Sequence, residues 1–296
     1  MYRMHRDRMK KERIFAKLKD IGVIRKLVQI GNGIVSNAYV KGFLTATIYK
    51  GPLKHFCVPG LNCYSCPGAL FACPIGSMQS FFAARNRKVP AYVLGFLAAV
   101  GLLVGRFICG WLCLFGLIEE LLYLVPVPKI TLPKKADRVL RFLKYAVFLI
   151  LVVALPLAYR NELGVGEPFF CKYLCPAGTL EGGAFLVTFN EGLRATVGFL
   201  FQWKVLVMVL ILASCMFIHR PFCKYLCPLG AFYALFNKIS VLRLKFDADK
   251  CIQCGKCKEA CNMQVDPTKC PDSAECIRCG DCIRSCPARA LRFDKK

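Results

Sequence analysis

Histidine and acidic side chains are scarce in this sequence. There are three histidines, His5, His55 and His219, and they are scattered. No C-x-x-C-H occurs, so covalent c-type haem has no attachment point. Nor is there a convincing axial pair among the three, and they read as ordinary residues. The chain also lacks a Ser/His/Asp set, a G-x-G-x-x-G turn and a phosphate loop. No residue is therefore assigned to bond-making chemistry. Asp and Glu number 18 against 42 Lys and Arg, a net charge of +24. Residues 245–296 hold 11 basic and 8 acidic residues, only +3 of that excess. The rest lies upstream, where it fits membrane topology better than nucleic-acid binding. The first 20 residues show no apolar core or small-residue cleavage site. They carry eight Lys/Arg against three acids and read as a cytoplasmic, lipid-facing arm over residues 1–22.

Cysteine and apolar side chains are abundant instead. The 296 residues are 56% hydrophobic, with a mean hydropathy of +0.46. That is too apolar for an ordinary soluble protein and predicts membrane spans. The twenty cysteines fall in short-spaced groups, which favours metal over disulfides. The last groups are two combs of C-x2-C-x2-C-x3-C. One is Cys251, Cys254, Cys257 and Cys261; the other is Cys276, Cys279, Cys282 and Cys286, followed by Pro287. This is the spacing of a bacterial two-cluster ferredoxin, in which the fourth cysteine of each comb serves the other cluster. Cys251, Cys254, Cys257 and Cys286 are expected to hold one [4Fe–4S] cluster, and Cys276, Cys279, Cys282 and Cys261 the second. Gly255 and Gly280 leave the backbone room to turn. Zinc is the rival, but a zinc site needs four ligands and has no use for two matched combs.

Three apolar runs read as spans: Ala91–Phe107, Phe142–Ala158 and Trp203–Ile218. Residues 23–49 are weaker, with Lys26, Asn32, Asn37, Lys41 and several glycines. Parity counts them as a fourth span, because only four spans put the basic arm and the C-terminus on one cytoplasmic side. The loop of residues 51–88 is then outside, with Arg85, Arg87 and Lys88 as misfits. The basic loop 109–141 is inside, and the loop 159–202, with four glutamates, is outside. The apolar stretch from Cys113 to Leu124 is read as an interfacial or partly buried helix. Its Glu119 and Glu120 are read as the solvated face of that helix. The fold expected is a membrane all-α domain of about four spans over residues 23–244. A C-terminal α+β ferredoxin domain over residues 245–296 follows it.

Between the spans an internal repeat appears: Cys109-Gly-Trp-Leu-Cys113, Cys171-Lys-Tyr-Leu-Cys175-Pro176 and Cys223-Lys-Tyr-Leu-Cys227-Pro228. Cys63, Cys66-Pro67 and Cys73-Pro74 form a related stretch. Proline beside cysteine favours a helix start, whose free N–H groups can face an anionic cluster. Arg106, Lys172, Arg220 and Lys224 are nearby cations that would offset cluster charge. A C-x3-C pair supplies two ligands and a cubane needs four, so the pairs must pair. Topology groups Cys109, Cys113, Cys223 and Cys227 inside, and Cys63, Cys66, Cys73, Cys171 and Cys175 outside. Spacing does not choose among Cys57, Cys63, Cys66 and Cys73, and disulfides or zinc are the rival for the outer set. Cys215 reads as a buried core thiol and Cys270 as a spare.

On the paired C-x3-C motifs and the combs, the chain from about residue 90 onward resembles the membrane polyferredoxins of the NapH and NosR type. That resemblance implies several membrane helices, two cytoplasmic ferredoxin clusters and electron exchange with quinol or a partner protein. Leu114 stands where a proline is expected after Cys113, and the outer cysteine set is an addition. The expected function is an integral inner-membrane electron carrier with both termini cytoplasmic and about four [4Fe–4S] clusters. Its partners would be lipid, redox proteins on one or both faces, and quinone as a candidate, with no nucleic acid. Two rivals stand: a quinol dehydrogenase subunit with a pocket near His219, Glu119 or Glu120, and a redox-sensing or maturation factor.

Overall fold

In a computed structural model, residues 22–84, 90–162, 164–195 and 197–295 are described. Most of the basic arm and the Arg85, Arg87 and Lys88 cluster lie outside them. Two helices are long and apolar enough to cross a membrane, Lys135–Ala158 and Phe199–Phe217, and Ala91–Val104 is apolar but shorter. The first contains a π-helical stretch, Phe148–Ala154, immediately before Leu155-Pro156. Proline lacks the N–H that a regular turn needs, and the wider turn absorbs the missing bond. Leu149, Ile150, Val209 and Leu210 on the two long helices are between 50% and 63% exposed. Among the described residues, no protein element covers that face.

Residues 23–49 do not form one span. Residues 22–36 are helical, the chain breaks, and a short helix follows at Val40–Thr45. The Asn37 side chain donates to the Gly33 carbonyl at 3.0 Å and takes the place of a further helical turn. The 22–36 helix is polar on its inner side. Arg25 makes two bonds to the Glu120 carboxylate, at 2.9 and 3.0 Å. Asn32 and Gln29 donate to the carbonyls of Leu112 and Cys113. Its other side presents Val23, Leu27, Ile34 and Val35, all exposed. Weak hydropathy thus reflects a helix that turns its polar face inward.

These helices run between the same two ends. At one end Gly22 lies against Arg284, Val241 N–H reaches Leu102, and Arg141 donates to the Met263 carbonyl at 2.8 Å. At the other, Leu70 N–H bonds the Ser36 carbonyl, Gly166 N–H bonds Ala83, and Trp203 donates to Tyr173. Residues 51–72, expected as an external loop, turn back into the protein. Val58, Leu61, Ala69 and Ala72 are buried, and Gly60 packs on the Cys113 backbone, where a Cβ would come within 3.3 Å of Cys113 Cα.

The C-terminal segment is closed by two antiparallel strands, Leu242–Phe246 and Leu291–Lys295, paired from Leu242↔Lys295 to Phe246↔Leu291. Gly255 and Gly280 have φ of +73° and +85° and begin short helices at Lys256–Glu259 and Asp281–Ser285. Positive φ recurs at Gln253 and Arg278, and at Gln264 and Arg289. The two combs therefore share one backbone path, repeated. This segment is docked rather than tethered. Arg106 and Lys144 both bond the Glu275 carboxylate, at 2.9 and 2.6 Å. Asn237 donates to the carbonyls of Ser273 and Cys276, and Trp111 to that of Arg278.

Glu275→Ala leaves two fully buried cations without their carboxylate. Losing one partner of a buried pair costs about 3–5 kcal/mol. The expected result is a clear fall in the thermal unfolding midpoint, with Glu275→Asp retaining part of the stability.

Candidate metal centres

The comb cysteines separate into two groups of four. Cys251, Cys254, Cys257 and Cys286 line one cavity of about 420 Å3. Cys261, Cys276, Cys279 and Cys282 line a second, smaller one. The fourth cysteine of each comb thus lies with the three of the other. Backbone N–H groups approach their sulfurs at matched places, Val265 to Cys261 Sγ at 3.4 Å and Ala290 to Cys286 Sγ at 3.3 Å. Cys254 is exposed. The second group packs against the Cys109 segment, since a Cβ at Gly110 would collide with the Ile277 carbonyl and lie 3.7 Å from Cys279 N.

Cys109, Cys113, Cys223 and Cys227 come together. Cys109, Cys113 and Cys227 all lie within electrostatic range of Cys223. Cys113 and Cys227 each precede a helix, Leu114–Tyr123 and Pro228–Phe236, in nearly the same conformation. In each case the N–H three residues on, of Gly116 or Gly230, approaches the sulfur at 3.4 Å. Leu114 therefore begins its helix as well as proline would. The extended backbone at Cys113 sets the start, and the proline only favours it.

Two arginines bracket this group reciprocally. Arg106 stands three residues before Cys109 and donates to the Cys223 carbonyl at 3.2 Å, with Cys223 Sγ at 3.7 Å. Arg220 stands three residues before Cys223 and donates to the Cys109 carbonyl. Both are fully buried. The other two expected cations are engaged elsewhere, Lys172 with Glu167 and Lys224 with Asp137 and Gln264. Glu119 and Glu120 are not a solvated face; both are buried. Glu119 accepts the N–H groups of Phe222 and Cys223 at 2.9 and 3.3 Å. Burial alone would raise the pKa of Glu120, but Arg220 and Arg25 outweigh it and hold the carboxyl below its usual range. His219 packs edge-on against Tyr123. Burial, then the adjoining Arg220, pushes its pKa down to about 3, so the ring is neutral.

Of the cysteines at the far end, Cys63, Cys73, Cys171 and Cys175 converge. Cys171 and Cys175 both lie within electrostatic range of Cys63 and Cys73. A Cβ at Gly178 would touch the sulfurs of both Cys175 and Cys63 at 3.7 Å, so glycine lines the space between them. The Gly178 N–H approaches Cys175 Sγ at 3.4 Å, and Gln79 donates to Cys171 Sγ at 3.1 Å. Glu181 accepts the Cys63 N–H at 2.7 Å. Cys66 is also within electrostatic range of Cys63, and its own neighbours are Glu181, Lys54 and the N–H groups of Gly68 and Ala69. Cys57 sits by Ser77 Oγ at 4.0 Å. Cys215 is fully buried and bonds the Ile211 carbonyl, and Cys270 is exposed. Between this group and the inner one stands Tyr233, fully buried, its hydroxyl donating to the Pro59 carbonyl at 2.9 Å. It lies within electrostatic range of Cys109 and Cys113 on one side and Cys57 and Cys73 on the other.

Among the described residues, no three His, Cys, Asp or Glu side chains converge on a single metal ion. Thiols in fours with N–H groups aimed at sulfur are a donor set that suits a cubane.

Residues 71–92, 90–133, 145–193 and 200–247 match the 4Fe-4S binding domain family. An uncharacterized protein of Methanocaldococcus jannaschii is 32% identical over 224 residues, 75% of this chain and 85% of its own length. The methylamine utilization ferredoxin-type protein MauN of Paracoccus denitrificans is 28% identical, covering 62% of this chain and 58% of MauN. The regulatory protein NosR of Pseudomonas aeruginosa is 32% identical over 57% of this chain and 22% of NosR. No solved structure matches. The matched segments cover every cysteine from Cys73 to Cys227, and the chain belongs to the 4Fe-4S binding domain family, in the company of membrane polyferredoxins of the NapH and NosR type.

Proposed function

We propose that the protein is an integral membrane electron carrier with four [4Fe–4S] centres in a row. The observation that carries this reading is the order of the four cysteine groups. Cys251, Cys254, Cys257 and Cys286 are outermost at the C-terminal end, with Cys254 exposed. Cys261, Cys276, Cys279 and Cys282 follow, against Gly110. The inner group Cys109, Cys113, Cys223 and Cys227 is next. Cys63, Cys73, Cys171 and Cys175 complete the row at the far end. When loaded, the clusters supply one-electron redox chemistry. The chain's residues space them, exclude water and supply N–H donors to the sulfurs.

The uncovered apolar faces of Lys135–Ala158 and Phe199–Phe217 support lipid as their surroundings. The outward apolar face of the 22–36 helix supports a further passage, and Ala91–Val104 the fourth. A hydrocarbon core of roughly 30 Å is then bridged by the inner and far-end centres. Electrons pass between a redox protein at the comb end and an acceptor or donor at the far end, and a quinone is a candidate for that second role. The two-cluster domain of residues 245–296 faces the cytoplasm in this reading.

The test is accessibility from outside intact cells. Single reporter tags at Glu191 and at Lys295 are treated with an impermeant reagent. Glu191 is expected to label and Lys295 to be protected. Labelling of both, or of Lys295 alone, contradicts the orientation.

A further inference from the structure

We propose that the buried arginine pair gives the inner centre a higher reduction potential than the far-end centre, so that an electron shared between them rests on the inner one. The inference builds on the four-centre reading above.

The two membrane centres are built alike, which makes the comparison a controlled one. Each has a helix start at cysteine with an N–H three residues on aimed at its sulfur: Gly116 and Gly230 at the inner centre, Gly178 at the far one. Each has one carboxylate accepting the N–H of a cysteine, the buried Glu119 at Cys223 and the half-buried Glu181 at Cys63. These features largely cancel between the two. The cations do not. Arg106 and Arg220 are both fully buried, and each donates to the carbonyl of the cysteine in the opposite half-site. Arg106 also reaches Cys223 Sγ at 3.7 Å.

At the far centre, among the described residues, the contact to sulfur comes from the neutral amide of Gln79. Lys54 donates to the Tyr64 carbonyl and lies within electrostatic range of Cys63, but no bond joins it to a sulfur. Lys204 is in electrostatic range of Cys171 without a bond to it. Reduction adds one negative charge to a cluster. A buried guanidinium stabilises that charge strongly where the dielectric is low, and charge and hydrogen bonds to sulfur are the levers that set cluster potentials. The acids that pair the arginines, Glu275 and Glu120, are shared with further cations, Lys144 and Arg25. The positive field is therefore only partly offset. One electron leaving the far centre oxidises it by one unit and reduces the inner centre by one, with no proton or group transferred. That step is downhill inward.

The experiment is an anaerobic potentiometric titration of the full-length protein followed by EPR. Cys175→Ser and Cys227→Ser identify the far and inner signals. The inner midpoint is expected to lie above the far one. Arg106→Gln and Arg220→Gln should each shift only the inner midpoint downward, and Arg106→Lys should restore most of the shift. If Arg106→Gln fails to assemble, the lysine variant and Arg220→Gln still report. An inner midpoint at or below the far one, or inner midpoints unmoved by both glutamine variants, overturns the proposal. Fewer than four signals in the unaltered protein would instead count against the four-centre reading itself.

Discussion

Cys227→Ala is expected to abolish electron passage between the comb end and the far end while leaving both comb centres intact. Cys227 is buried and shares its site with Cys109, Cys113 and Cys223. A cubane with three thiolates and no replacement ligand is lost or severely weakened. In the proposed row the inner centre is the step between Cys279, packed near Gly110, and the far group beyond Tyr233. In vesicles reduced from the comb side and sampled by freeze-quench EPR, the far-end signal should appear in the unaltered protein. In Cys227→Ala it should stay at background. A far-end signal appearing at the unaltered rate would remove the inner centre from the path.

The second large effect concerns the exchange of ligands between combs. Cys286 lines the cavity of Cys251, Cys254 and Cys257. Cys286→Ala should therefore destroy the centre of the first comb and spare that of Cys276, Cys279 and Cys282. Cys261→Ala should do the reverse. EPR of the two variants distinguishes the centres. Loss of the Cys276 centre in Cys286→Ala would assign each comb its own fourth ligand and refute the pairing.

Much of this was readable before any geometry. The combs are dense enough that spacing alone dictates which thiols can share a space, and their grouping in the structure follows that spacing. The inner pairing of Cys109, Cys113, Cys223 and Cys227 was also accessible, because a two-thiol motif needs a second one. The far group was harder. Cys57, Cys63, Cys66 and Cys73 lie on a folded-back segment with no helical or strand period, and it is the approach to Cys171 and Cys175 that points to Cys63 and Cys73. The four basic residues near the motifs could not be ranked from sequence. Only the arginines three residues before a first cysteine point across the site, while Lys172 and Lys224 find carboxylates nearer by. Residues 23–49 were ambiguous because lysine and asparagine lower hydropathy equally whether they face water or a polar interior. Here Arg25, Gln29 and Asn32 face Glu120 and the carbonyls of Cys113 and Leu112. The same ambiguity hid the burial of Glu119 and Glu120.

Iron and acid-labile sulfide per chain in anaerobically purified protein test the central claim most directly. Four cubanes give about 16 of each. Cys63→Ala should lower both to about 12, and Cys66→Ala should leave both at about 16, since the proposed far-end set is Cys63, Cys73, Cys171 and Cys175. A value near eight in the unaltered protein, with the membrane-domain thiols free to react, would leave only the comb centres and contradict a conducting row of four.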